Sequence, residues 1–351
     1  MNGRDDTVDV EAYRLTPEEN EHIFRTAIVP DELEPVPARE QPVVAILIGQ
    51  PGAGKSATAD EVRDAFGPGG FVEVDSDIYK PYHPRYQQIL RLNDRLMAAA
   101  IRPDGRTWMA KVQTYLREHR LNALVHETAQ NPDHLVATAH SYRAAGYQLA
   151  VIVLAVPEGL SRQGILDRYF AQIRDRGVGR LTRPENAAES YASIPEGAAR
   201  LENEMLADVI AVFRRGLNPK GAAYWNEQTP TGWAHPPQVA EAVHTERARV
   251  TAHEYADFTA RQHALRAVAP AEFAAELATI ERLVAPLPGA GTTPPPGPAA
   301  RAAEVFTVDV AEIVRKAHRT GKARAEIPPP TATPPGRSPG AGSANTHHRG
   351  R

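Results

Sequence analysis

Apolar residues fall in short unbroken runs along this chain, and between the runs they return at helical spacing among polar ones. Three runs stand out: VVAILI at 43–48, ALV at 123–125 and LAVIVLAV at 149–156. Each is too short for a buried helix and suits a parallel strand covered on both faces. A fourth, GFVEV at 70–74, alternates more. Helical patterns fill 55–66, about 84–120 and 133–145, and helix is expected from Ser161 onward and over 186–215. Strand and helix in alternation predict an α/β fold: a doubly wound parallel sheet with helices on both faces. Ligands of such sheets bind beyond the C-terminal ends of the strands.

The flanks read differently. Residues 1–40 form an N-terminal helical segment, with Thr16 as N-cap, Pro17 at the first helical position and Pro30, Pro35 and Pro37 as its stop. The sheet domain is expected over 41–215 and a helical extension over 216–285. Residues 286–351 then hold a proline-rich linker, a short basic helix near 301–324 that reads as a solvated face, and a low-complexity tail from Pro328 expected to be disordered.

Composition narrows the function. A formal charge of −3 over 351 residues predicts no overall attraction to nucleic acid or acidic membranes. The absence of cysteine removes disulfides, thiolate metal sites and a thiol nucleophile. The longest apolar run, 149–156, falls far short of the roughly 20 residues of a membrane helix. The N-terminus has no signal-like apolar core, so a soluble cytoplasmic protein is expected.

Gly49-Gln50-Pro51-Gly52-Ala53-Gly54-Lys55-Ser56, followed by Ala57, fits the phosphate-loop pattern G-x-x-x-x-G-K-[ST]. The glycines let backbone N–H groups turn toward one phosphate. Lys55 reaches the outer phosphates, the Ser56 hydroxyl ligates Mg²⁺, and the following helix presents its positive end. A strand before and a helix after meet the motif's structural requirement. No N-K-x-D base-reading motif is present, and NPKG at 218–221 does not match, which favours ATP over GTP.

Other polar groups cluster at predicted strand ends. Asp75 and Asp77 follow the second strand; a carboxylate there can accept a proton from an attacking hydroxyl, although an Asx turn with a surface acid explains the spacing equally well. Glu127 and Thr128 follow the third strand and could hold sugar hydroxyls, while Asn131-Pro132-Asp133 can start a helix. The stretch 156–182 carries Arg162, Arg168, Arg174, Arg176 and Arg180. Guanidinium groups stabilise a phosphoryl group in transfer, but Arg162 and Arg174, like Arg168 and Arg180, lie twelve apart, and periodicity does not choose between the pairs.

LTPEENEHIFRTAIVP, ILIGQPGAGKS, VDSDIYKPYHP, AVPEGLSRQGILDRY and GVGRLT, taken together and in this order, resemble the zeta toxin family of bacterial P-loop kinases. The resemblance covers roughly residues 14–215. It implies a kinase that uses ATP and Mg²⁺ to phosphorylate the 3′-hydroxyl of UDP-N-acetylglucosamine, with an antitoxin as partner. It also implies roles: Asp77 as base, Lys55 and Ser56 on ATP and magnesium, Arg168 and Arg180 on the γ-phosphate, and Glu127 on the sugar nucleotide. His83-Pro84 becomes a signature that shapes the substrate site. This chain departs from the family's E-G-T-x-R with Glu127-Thr128-Ala129-Gln130-Asn131, and Lys111 or its neighbours align where some members carry a second acid. Both changes touch the acceptor pocket. The competing expectations are a P-loop kinase for another small molecule or a nucleic acid end, and a non-catalytic ATP-binding module.

Overall fold

Every residue of the run Val43–Ile48 is buried, and it forms β1, an inner strand of a seven-stranded sheet. The computed structural model describes residues 10–66, 70–92, 94–214, 221–288 and 310–325. The other strands are β2 (Val72–Val74), β3 (Ala123–Glu127), β4 (Gln148–Leu154), β5 (Val209–Phe213), β6 (Tyr224–Thr229) and β7 (Gly232–Trp233). Their order is β2-β3-β1-β4-β5-β6-β7. The pairs from β2 to β5 are parallel; β6 and β7 add an antiparallel edge.

Side chains alternate across a strand, so β1 feeds two cores. Val44, Ile46 and Ile48 point into one, and Val43, Ala45 and Leu47 into the other. The helices α1 (Pro17–Ile23), α2 (Lys55–Phe66), α3 (Ser76–Tyr79), α4 (Tyr86–Leu92), α5 (Asp94–His119), α6 (Pro132–Ala144), α7 (Glu158–Arg176), α8 (Pro184–Asn203), α9 (Val239–Arg247), α10 (Ala252–Val268), α11 (Ala274–Val284) and α12 (Val310–Ala325) surround the sheet. α5, α6, α8 and α9 fill the first core with residues such as Trp108, Leu135, Ile194 and Val243. α2, α7, α10, α11 and α12 fill the second, through Val62, Leu160, Phe258, Ile280 and Ile313.

Thr16 caps α1 as expected: its hydroxyl accepts from the Glu19 N–H, and the Glu19 carboxylate accepts from the Thr16 N–H. Pro30 does not end the segment. The chain continues as a π-helix over Phe24–Leu33 with Pro30 inside it. Helix was expected through 215, but it ends at Asn203, and Met205 turns the chain at φ 54. VIAVF at 209–213 then forms β5, a wholly buried parallel strand. Continuous apolarity there reflects burial on both faces rather than a helical stripe. The extension expected to be helical contains the β6–β7 hairpin, whose turn at Pro230 and Thr231 leads into Gly232 at φ +124.

The basic helix is not a solvated rod. α12 lays Ile313, Val314 and Ala317 into the second core, and Lys316 reaches Glu227 at 2.7 Å and the Trp225 ring at 4.3 Å. Arg315 and Arg319, on its exposed side, both pair with Glu312. The expected disordered tail from Pro328, and residues 289–309 of the linker and helix start, lie outside the described residues.

Ile313→Ala should therefore cost about 2–5 kcal/mol in urea unfolding, whereas Arg319→Ala on the exposed face should stay within about 0.5 kcal/mol. Equal, negligible effects would mean that α12 is not docked.

Candidate active site

Parallel pairing brings the C-terminal ends of β1, β3 and β2 to one edge of the sheet. Ile48 is in register with Glu127, and the Gly49 N–H donates to the Glu127 carbonyl at 3.0 Å. The phosphate loop therefore leaves β1 beside the end of β3. Its turn needs Gly52 at φ +78 and Gly54 at φ +95. A Cβ on Gly52 would collide with the Ser161 carbonyl of α7, so no side chain fits. Ala53 is buried, and Ser56 and Ala57 stand exposed in the first turn of α2. Lys55 Nζ donates to the Gly49 carbonyl at 2.6 Å. Burial lowers the Lys55 pKa to about 8 against the opposing pull of Asp75, Asp77 and Glu127.

β2 ends at Val74. Asp75 is the N-cap of α3, its carboxylate accepting the Asp77 N–H at 2.9 Å, so Asp75 makes the expected Asx turn. Asp77 lies in the first turn of α3 with its side chain 44% exposed. Lys80 Nζ donates to it at 2.6 Å and Arg180 Nη1 donates to the same oxygen. Burial would raise the Asp77 pKa, but Arg180 and Lys80 outweigh it and hold the carboxyl well below the usual range.

Glu127 behaves oppositely. Burial raises its pKa to about 7; Lys55 opposes this, Asp75 adds to it, and a hydrogen bond from the Thr128 backbone opposes it. Two carboxyls at one sheet edge are thus pushed apart in acidity, as in sites that need both an acid and a base. His126, one residue earlier, lies 2.9 Å from Glu73 and 3.7 Å from Asp75.

The arginines separate where spacing could not choose. Arg162 is held by Glu158 at 3.0 Å and by Glu276 of α11 at 2.8 Å, and Arg174 is exposed beside Asp175. Arg168 and Arg180 face the acids. Arg168 Nη2 donates to Thr182 at 3.0 Å while its buried Nε has no partner. Burial lowers its pKa, Arg180 lowers it further, and Asp77 and Asp75 raise it. The Arg180 N–H donates to Gln172 at 2.8 Å, fixing the backbone below the guanidinium.

Two residues singled out by sequence have other work. His83 is 1% exposed; its Nδ1 accepts the Arg85 N–H at 3.2 Å, so Nε2–H donates to the Tyr13 carbonyl at 3.0 Å. Both nitrogens are engaged inside the protein, and His83 pins the turn after α3 rather than presenting a ligand atom. Lys111 points to the N-terminal helix, reaching Asn20 and Glu21 at 2.8 Å each. Nor does Asn131 point into a pocket: its side chain caps α6 by accepting the His134 N–H at 3.2 Å. Lys80 is the residue that sequence reasoning missed. It stands three places after Asp77, the spacing of neighbours on one helical turn, and that spacing was the available signal.

The cradle fits a polyphosphate with its own divalent cation. Among the described residues no group of three His, Asp or Glu could hold a metal ion. A magnesium held chiefly by nucleotide phosphates needs only one or two protein oxygens, which the exposed Ser56 hydroxyl meets. No helix among the described residues is long and apolar enough to cross a membrane.

A family model described as Zeta toxin matches residues 27–228, more than half of the chain. Toxin zeta of Enterococcus hirae is 24% identical over 179 residues, covering 51% of this chain and 62% of the relative. Toxin PezT of Streptococcus pneumoniae is 24% identical over 177 residues, covering 50% and 70%. The chain thus spans about three-fifths of the length of the zeta toxins it matches. A structure from the PezAT chromosomal toxin–antitoxin system of Streptococcus pneumoniae superposes with a TM-score of 0.60 at 18% identity, over 72% of this chain and 98% of that one. At that identity the likeness speaks to fold alone: the covered part of this chain has a fold similar to that of this neighbour.

The acidity of Glu127 gives a test that needs no substrate. An unfolded glutamate ionises near 4.5 and the folded one near 7, so between these values the folded chain keeps a proton that the unfolded chain has lost. Stability falls as pH rises across that window. Glu127→Gln escapes this loss. Its melting temperature should exceed that of the parent by more at pH 8 than at pH 5; a gap independent of pH would contradict the burial of an ionising Glu127.

Proposed function

Because the chain belongs to the zeta toxin family, we propose that it transfers the γ-phosphoryl group of ATP to the 3′-hydroxyl of the sugar in UDP-N-acetylglucosamine or a related sugar nucleotide. The observation that carries this reading is the convergence of Lys55, Asp77, Arg168 and Arg180 at one strand edge. In this reading the phosphate loop and Lys55 hold the triphosphate. The acceptor oxygen attacks the γ-phosphorus, the bond to the β-phosphate oxygen breaks, and the hydroxyl proton passes to Asp77. The products are ADP and the 3′-phosphorylated sugar nucleotide. Magnesium, on the Ser56 hydroxyl and the phosphates, would neutralise part of the developing charge.

The strongly acidic Asp77 is a feeble base toward an alcohol. It acts by orienting the hydroxyl and takes the proton late, as the loose transition state forms. Arg180 must first release it. The same guanidinium then has the γ-phosphate oxygens as its anionic partner, so one movement frees the base and supplies charge to the transferring group. Glu127 and Thr128, at the C-terminal end of β3, are assigned to the acceptor. A product that mimics a cell-wall precursor would poison wall synthesis, and the protein would be the toxin of a pair restrained by an antitoxin.

ADP release should depend on UDP-N-acetylglucosamine and vanish in Lys55→Ala, with mass spectrometry showing one added phosphoryl group on the sugar nucleotide. Release driven by a different acceptor would reassign the substrate. Arg168→Ala should lower turnover by about 10³–10⁵, at least as much as Asp77→Asn at about 10²–10⁴. Near-normal turnover in Arg168→Ala would remove it from the transition state.

A further inference from the structure

Arg247 ends α9, outside the stretch matched by the family model, yet it reaches the second residue of the phosphate loop. Its Nη2 donates to the Gln50 side-chain carbonyl at 3.0 Å. Gln50 is wholly buried, and its amide donates to the Val156 carbonyl, just past β4, at 2.7 Å. Arg247 Nη1 donates to the Tyr191 carbonyl of α8 at 2.6 Å, and the guanidinium lies 4.1 Å above the Tyr191 ring. The side chain thus links three elements: the loop after β1, the end of β4 and α8.

Arg247 is also a charge out of place by ordinary rules. It is 5% exposed, its Nε has no partner, and among the described residues no carboxylate lies within ion-pair distance. Elsewhere the molecule pairs such groups: Arg214, at the end of β5, holds Glu246 at 2.8 Å and Glu254 at 2.6 Å. A buried guanidinium without a contact anion costs stability unless something recovers it. Glu158 acts on the guanidinium only from beyond contact distance, and the charge lies directly behind the phosphate loop, where a positive potential favours an anion.

We propose that Arg247 is a positioning residue for the nucleotide: it holds Gln50, and through it the phosphate loop, in the shape that receives the phosphates, and its charge is complemented when they arrive. This rests on the ATP-binding reading above. It also gives the extension a role, because α9 carries a strut of the nucleotide site. The charge belongs to the donor side, so the acceptor side should not feel its loss.

The test is ADP and ATP affinity, by calorimetry, in the full chain and in Arg247→Met, Arg247→Lys and Gln50→Met. Arg247→Met should weaken both nucleotides about 10- to 100-fold, the range that loss of a charge-assisted hydrogen bond carries. The KM for ATP should rise in step while the KM for the acceptor stays constant. Arg247→Lys keeps the charge but not the fork, and should recover part of the affinity. Gln50→Met and the double variant should be non-additive, because both break one link. If Arg247→Met melts earlier yet binds ADP as tightly as the parent, Arg247 is structural only and the proposal fails. Should Arg247→Met not fold, an Arg247→Lys or Gln50→Met protein with parental affinity overturns it equally. A parent chain that binds neither nucleotide overturns the kinase reading and this inference with it; a parent that binds while the variants match it overturns the inference alone.

Discussion

Parallel register is the constraint on which the rest of the molecule depends. Three strands that run the same way and are paired in step must end together, so the loops that leave them must meet. The Gly49 N–H bonded to the Glu127 carbonyl fixes how the phosphate loop departs, and Val74 opposite Val125 fixes where Asp75 begins the next turn. A slip of one residue in β3 would exchange the two faces of that strand. It would move Glu127 off the edge and drive His126 into a different core. Local motif geometry alone does not build this site; sheet pairing does.

Gathering those ends concentrates charge, and the charges sort themselves. Lys80 and Arg180 on one side make Asp77 a stronger acid, while enclosure on the other side makes Glu127 a weaker one. Arg168 and Lys55 are both depressed by burial in the same neighbourhood. A cluster of cations held partly out of water, with one exposed carboxylate among them, is poorly satisfied by its own members. It is better matched by a multiply charged anion, and this is the electrostatic basis of the phosphotransferase proposal.

Legibility followed range. The phosphate loop and β1 could be read because their signal lies within a dozen contiguous residues, where glycine placement and an unbroken apolar run both report on local backbone. Thr16 and Asn131 could be read as caps for the same reason. The strand VIAVF reads as a continuation of helix because a fully buried strand loses the alternation that identifies it. Arg162 and Arg168 look alike in sequence; only the packing of α11 against α7 shows that the first is spent on Glu276. The link from Arg247 to Gln50 spans 197 positions and leaves no local trace. His83 illustrates the converse, since a conspicuous motif residue can serve the framework rather than the ligand.

The segment beyond the matched region is part of the same body. α9 supplies Val239 and Val243 to the first core, and α10, α11 and α12 supply side chains to the second. The central claim is that the Asp77–Arg180 pair is the resting form of a catalytic arrangement. Its most direct test is a crystal structure with magnesium and a non-hydrolysable ATP analogue. The account predicts the triphosphate in the loop, Arg180 turned from Asp77 onto the γ-phosphate, and the Asp77 carboxylate facing that phosphate across a gap of one hydroxyl group. An intact Asp77–Arg180 pair, with the γ-phosphate directed elsewhere, would contradict it.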